Sequence, residues 1–237
     1  MFYCAIPLAI GVILLTLFLF FRVKEKRITA VIFKGLTSFM FIATALVAWL
    51  TSSNPQTIFG LFVVIGLFFG LLGDVFLDIK YIDTNRDSLW TSLGFLAFGF
   101  GHIFFITGLL LNYFNFSMNV LYLIIPVVIA IALTVVALLM EKFTPIKYGN
   151  MKSHATLYGF VLFFVTAIYW SATIQTNFQN ITLLVMSLGF ILFALSDLIL
   201  NNTYFAPGFN TPAFIISNHI FYYVAQFAIA ASLMFLL

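Results

Sequence analysis

Two carboxylic acids close the apolar run Gly66-Leu67-Phe68-Phe69-Gly70-Leu71-Leu72-Gly73-Asp74-Val75-Phe76-Leu77-Asp78, and a third, Asp197, sits in Leu195-Ser196-Asp197-Leu198. Asp74 and Asp78 are spaced i, i+4, so a helix puts them on one face. A carboxylate inside a long apolar helix is costly unless something compensates it, which makes such residues functional candidates by default. Burial disfavours the charged form of a carboxyl, and a neighbouring carboxylate disfavours it further. Two such acids can therefore divide into a protonated and an ionised member, the division of labour that acid/base hydrolysis uses. Asp74 and Asp197 form the candidate acid/base pair, with either able to hold the proton. Gly73 and Ser196, the residues before them, leave room for close backbone approach or a bound group.

Other polar side chains interrupt apolar segments and define a candidate binding set. Asp78, one turn nearer the helix end, is either solvated or paired with a lysine. Lys34 neutralises an aspartate, holds a lipid phosphate, or snorkels from a helix end. Ser196 adjoins Asp197, and Tyr158 follows Ser153-His154 in the sixth helix. Asn218, His219, Tyr222, Tyr223 and Gln226 form a polar stripe at helical spacing. His102 also belongs to the candidate set, although it lies deeper. The histidine spacing does not make a local metal motif. A metal held by His154, His219 and an aspartate is the weaker alternative, so neither metal nor cofactor is expected.

These residues need elements to hold them. The chain has 237 residues, 64% hydrophobic and 7% charged, against about 25% charged in soluble domains; it reads as a polytopic membrane protein. The 32 phenylalanines suit lipid-facing and interhelical packing. A net charge of +3, from basic residues confined to short connections, is a topology signal and gives no nucleic-acid role. Cys4, the single cysteine, precludes an intramolecular disulfide and is expected to face lipid. The first apolar run lacks a basic n-region and a small-residue cleavage site, so it reads as a retained helix.

Spans of about 20 apolar residues fall at roughly 3–21, 29–50, 57–79, 89–111, 118–139, 153–173, 181–201 and 213–236. The expected fold is all-α with eight transmembrane helices in one domain; sustained alternation, the mark of a membrane barrel, is absent. Arg22, Lys24, Lys26 and Arg27 lie in the first connection, Lys80 and Arg86 in the third, and Lys142, Lys147 and Lys152 in the fifth. By the positive-inside rule these connections are cytoplasmic and both termini lie opposite, as in a bacterial inner membrane or the endoplasmic reticulum. Asp74 then lies about 7–9 Å from the cytoplasmic end of its helix, with Asp197 and Lys34 at similar depth. The site opens toward the cytoplasmic leaflet.

The halves resemble each other. Gly66 and Asp74 match Gly189 and Asp197, Leu77-Asp78 matches Leu200-Asn201, and His102-Ile103-Phe104-Phe105 matches His219-Ile220-Phe221-Tyr222. Two parallel four-helix repeats, 1–111 and 118–237, would be related by an axis along the membrane normal, and helices 3 and 7 would face each other across it.

The motifs, in order, resemble the lysoplasmalogenase (YhhN-like) membrane family. Gly66 to Leu77 with its Gly-Asp-Val-Phe-Leu core is the most recognisable segment. Lys34-Gly35-Leu36 is similar to that family's Lys-Pro motif, with Gly35 in place of proline. Gly101 to Ile106 resembles its His-containing fourth helix, with Phe105 where tyrosine is usual. Phe193 to Leu200 resembles its Ser-Asp helix, and Tyr222 to Gln226 its last helix. The resemblance implies eight helices and hydrolysis of the vinyl-ether bond of a lysophospholipid substrate, lysoplasmalogen; the depth of the polar residues has it enter from the cytoplasmic leaflet. The products would be a fatty aldehyde and a glycerophospho-alcohol. Proton transfer to carbon gives an oxocarbenium-like species that water traps, which two aspartates can serve. Two other readings remain: an intramembrane aspartyl protease, suggested by Gly73-Asp74, and a proton-coupled transporter of a small solute or lipid.

Overall fold

The computed structural model describes residues 2–55, 58–114 and 119–236. Eight α-helices run through them: α1 (Ala5–Val23), α2 (Arg27–Leu50), α3 (Ile58–Ile79), α4 (Asp87–Tyr113), α5 (Leu121–Phe143), α6 (Lys152–Gln175), α7 (Ile181–Phe205) and α8 (Pro212–Ser232). All eight are long and apolar enough to cross a membrane, and the described residues contain no strand. The chain is an all-α, multi-pass membrane protein. The ends expected from hydropathy lie within about one helical turn of those observed; the expected starts at 57 and 118 fall outside the described residues.

Local chemistry explains several boundaries. Asn180 caps α7 by accepting the Leu183 N–H at 3.1 Å, and Thr211 caps α8 with Pro212 at its first position. Gly208, at φ +83°, makes the turn between α7 and α8 in a backbone region that favours glycine. Pro126 lies inside α5 and cannot donate to the carbonyl of Tyr122 four residues back. The Ser171 hydroxyl of α6 donates to that carbonyl at 2.8 Å instead. A polar group freed by proline is thereby satisfied from the neighbouring helix.

Consecutive helices pair as α1–α2, α3–α4, α5–α6 and α7–α8; α2 also packs on α3, and α6 on α7. The two halves meet where α2 packs on α8 and α4 on α6. This neighbour set maps onto itself when α1–α4 are exchanged with α5–α8, except that α1 and α3 make additional contacts to α8. Small residues set the closest approaches. A Cβ on Gly101 would stand 2.8 Å from the Gly66 carbonyl oxygen across the α3–α4 crossing. One on Gly189 would stand 3.3 Å from the Ala225 carbonyl oxygen across α7–α8.

Three sequence expectations change. Cys4 is buried in the core, because α1 leans over α2 and α8 instead of standing alone in lipid. Helix α7 runs a turn past its expected end, which leaves Asp197 about 12 Å from its terminus against about 7.5 Å for Asp74 in α3. Helices α3 and α7 are also not principal partners: α3 packs mainly on α4 and α2, and α7 on α8 and α6.

Candidate functional site

Asp74 is reached from two other helices. Ser38 of α2 and Tyr222 of α8 each donate to its Oδ2 at 2.6 Å, and the Lys34 Nζ lies 3.3 Å from its Oδ1. Ser38 is four residues beyond Lys34, so one face of α2 supplies both partners. The α8 stripe stands behind them. Gln226 donates to the Tyr222 hydroxyl at 2.9 Å, and Tyr223 donates to the Lys34 carbonyl at 3.3 Å, its hydroxyl 3.0 Å from Ser38 Oγ. A carboxylate with an ammonium and two hydroxyl donors has the surroundings of a buried anion. At 1% exposure, Asp74 has lost nearly all contact with solvent.

Asp78 is equally buried, so the reading of a solvated carboxylate is corrected. Its Oδ1 is 3.1 Å from Lys34 Nζ, and its Oδ2 accepts from Arg22 Nη2. Arg22 comes from the last turn of α1, where its guanidinium carbon lies 4.2 Å from the centroid of the Tyr81 ring. Sequence reasoning had assigned Arg22 to topology alone, since it opens a run of basic residues. Two cations and two carboxylates therefore balance in one low-dielectric cluster, the condition under which buried charge is tolerated. Lys80, the first residue past α3, stands outside this cluster with its Nζ 3.0 Å from the Tyr204 ring centroid. Burial lowers its ammonium to about 7 despite the opposing charge of Asp78.

A polar cavity of about 30 Å³ opens among these groups; Arg22, Lys34, Asp74, Asp78, Asn218 and His219 stand in its wall. Asn218 holds α8 to α7 by donating to the Ser196 carbonyl at 2.8 Å and to its Oγ at 2.9 Å. His219 Nδ1 is 2.7 Å from the Ile215 carbonyl oxygen; as the donor in that bond it keeps Nε2 as an acceptor.

Asp197 has a different setting. It accepts from the Tyr158 hydroxyl of α6 and has no cation in ion-pair contact among the described residues. It lines an apolar cavity of about 70 Å³ with Phe95, Leu162, Phe163 and Ala194. The two acids do not share one pocket as the paired-helix reading expected. Phe98 lies between their partners, 6.4 Å from the Tyr158 ring and 5.9 Å from the Tyr222 ring. The room that Gly73 leaves is filled by this same Phe98 ring, 2.6 Å from where a Cβ would stand. The cavities nevertheless adjoin, since Leu200 and Tyr204 wall both.

His102 lines neither of these cavities. It packs in an aromatic cage, 4.9 Å from Phe193 and 5.8 Å from Tyr158, and its ring nitrogens have no hydrogen-bond partner among the described residues. It bears on the site through Tyr158. His154 lines a separate apolar cavity with Ile103 and Leu157, so the structure does not bring it to His219. Among the described residues no group of three or more His, Cys, Asp or Glu side chains is placed to hold a metal.

Fold and site define a class: a multi-pass helical membrane protein with a charge-balanced acid cluster set within its spans. A family model described as the YhhN family matches residues 29–233, and the chain belongs to that family, which includes lysoplasmalogenases. The match takes in α2 to α8 and leaves out α1, the helix that carries Arg22. No curated protein and no solved structure matches the chain.

Proposed function

We propose that the protein hydrolyses the vinyl-ether bond of lysoplasmalogen, releasing a fatty aldehyde and a glycerophospho-alcohol. The observation that carries this reading is the pair of adjoining cavities, one polar with Asp74 and one apolar with Asp197, sharing Leu200 and Tyr204. In a one-chain ether lipid the labile bond sits where the polar glycerophosphate meets the hydrocarbon tail. A substrate with its head in the first cavity and its tail in the second carries that bond to the shared wall. Both cavities are smaller than such a lipid, so binding requires side chains or helices to part.

Asp197, which has no ion-pair partner among the described residues, is the proposed proton donor to the alkene carbon β to the ether oxygen. The resulting oxocarbenium is stabilised by the Asp74 carboxylate, which Lys34, Ser38 and Tyr222 contact. Water adds to the cationic carbon and gives a proton back to the Asp197 carboxylate. The neutral hemiacetal then breaks its bond to the glycerol oxygen, which takes the hydroxyl proton, leaving aldehyde and alcohol. General acid/base catalysis of this kind contributes about 10²–10⁴-fold. By the distribution of basic connections, the lipid enters from the cytoplasmic leaflet.

The test is aldehyde release from lysoplasmalogen by the purified protein in lipid-supplemented detergent, beside Asp74→Asn and Asp197→Asn. Both variants should keep their fold and lose turnover by about 10²–10⁴-fold. Full activity in either variant removes that residue from the chemistry. An inactive wild-type protein removes the hydrolase reading and directs the search to proton-coupled transport.

A further inference from the structure

Arg22 makes an incomplete ion pair. Side-on, a guanidinium offers a carboxylate two parallel N–H donors, Nε and one Nη. Asp78 takes only Nη2, because its other oxygen is committed to Lys34 at 3.1 Å. Arg22 Nε is left without an acceptor among the described residues although the side chain is more than nine-tenths buried, and Arg22 stands in the wall of the polar cavity. A buried N–H without a partner costs about 1–3 kcal/mol. A purely structural clasp between α1 and α3 would gain by closing both bonds to one carboxylate.

The surroundings fix the orientation of this donor. The Tyr81 ring stacks on the guanidinium at 4.2 Å, and Phe18 lies beneath it at 5.7 Å. Lys80 brings a further cation to the same Tyr81 ring, its Nζ 5.2 Å from the centroid. Arg22 borders a cavity of about 30 Å³, room for a water-sized group. Nε itself is enclosed, so an anion oxygen reaches it when the neighbouring side chains part, as lipid entry also requires. Arginine, with its rigid fork and weak hydration, suits phosphate oxygens at such a site.

We propose that Arg22 is a phosphate-ester anchor: its Nε–H receives one phosphate oxygen at the polar cavity while Nη2 stays on Asp78. The anion is the phosphate of a lipid headgroup or free phosphate. The identification of the lipid as a lysophospholipid rests on the hydrolase reading above; the anion site does not. Because α1 lies outside the family match, the anchor is contributed by this chain from beyond the region on which its family membership rests.

The experiment measures equilibrium binding to the full chain in nanodiscs, without turnover. Its probes are a saturated-ether lysophosphatidylethanolamine, which cannot be cleaved at a vinyl ether, the matching alkylglycerol without phosphate, and inorganic phosphate as competitor. Arg22→Gln should weaken the phosphorylated lipid about tenfold or more, an effect of about 1.4 kcal/mol, and leave the alkylglycerol unchanged. Equal weakening of both lipids, or of neither, overturns the proposal. Competition by millimolar inorganic phosphate assigns the site to phosphate itself; its absence, with the Arg22 effect intact, assigns it to phosphate tethered to a lipid. If Arg22→Gln does not fold, Arg22→Lys is read in the same way, since it keeps the charge and loses the Nε donor. Wild-type discrimination in that variant also overturns the site. Arg22-dependent binding without aldehyde release leaves the anchor standing and removes hydrolysis, whereas aldehyde release with Arg22-independent binding does the reverse.

Discussion

Removing Asp78 tests whether the four-charge cluster is a single energetic unit. Asp78 accepts from Arg22 and Lys34, while Asp74 has Lys34 as its only ion-pair partner among the described residues. Asp78→Leu, a change of similar size, leaves two buried cations facing one carboxylate. Breaking a buried pair in this way costs about 3–5 kcal/mol, much of it the cost of the stranded charge. For a chain of this size each kcal/mol moves the unfolding midpoint by about 2–4 °C, so the variant should melt roughly 6–20 °C lower. Arg22→Met in the same background removes the stranded guanidinium and keeps an unbranched stem against Phe18 and Tyr81. Only the Lys34–Asp74 pair then remains, at 3.3 Å and in charge balance. The double variant should therefore recover at least half of the loss, about 1.5–2.5 kcal/mol, a departure from additivity that marks the two residues as coupled. Cys4 is buried and is the single cysteine, so a thiol-reactive fluorophore reports on opening of α1 during heating, and circular dichroism follows the whole bundle. Additive losses in the double variant would refute the balanced-cluster account, as would an Asp78→Leu protein that melts with the wild type.

Three further outcomes follow from particular contacts. Tyr222→Phe removes one of two hydroxyl donors to Asp74 and the acceptor of Gln226, and should reduce aldehyde turnover about tenfold at a stability cost of about 1–3 kcal/mol; unchanged turnover in the folded variant would separate Tyr222 from the chemistry. Gly101→Ala brings a methyl group to within 2.8 Å of the Gly66 carbonyl oxygen. Backbone cannot rotate away as a side chain does, so the helices must part at a cost of about 1–3 kcal/mol, read as a lower unfolding midpoint. Ser171→Ala strands the Tyr122 carbonyl that Pro126 already leaves without its helical donor. It should cost about 1–3 kcal/mol, and pairing it with Pro126→Ala, which restores the donor, should return most of that loss.

Much of the fold was legible along the chain because hydropathy is a property of sequence position. Apolar runs of spanning length set the eight helices, and the scarcity of charge made Asp74 and Asp197 conspicuous. The α8 stripe was legible for the same reason: Asn218, Tyr222 and Gln226 recur every fourth residue and all three prove buried. Ser38 had a signal that went unused, since it lies one turn from Lys34 on the same face and donates to Asp74. Arg22 carried no distinguishing signal. An arginine at a helix end followed by Lys24, Lys26 and Arg27 reads as a topology marker whether or not it turns inward.

What the sequence determined by itself was the number of spans, their approximate ends and the residues whose burial would need compensation. Only tertiary structure decided which of those residues meet. The direction in which a helix face points depends on its rotation against its neighbours, and that rotation is set where Gly66 meets Gly101, Gly73 admits Phe98, and Gly189 lies against Ala225. These contacts join residues from different helices, so no one segment encodes them. They turn Asp74 toward Lys34, Ser38 and Tyr222, and bring Arg22 from α1 onto Asp78. They also give Asp197 to Tyr158 in a neighbouring cavity, on the far side of Phe98.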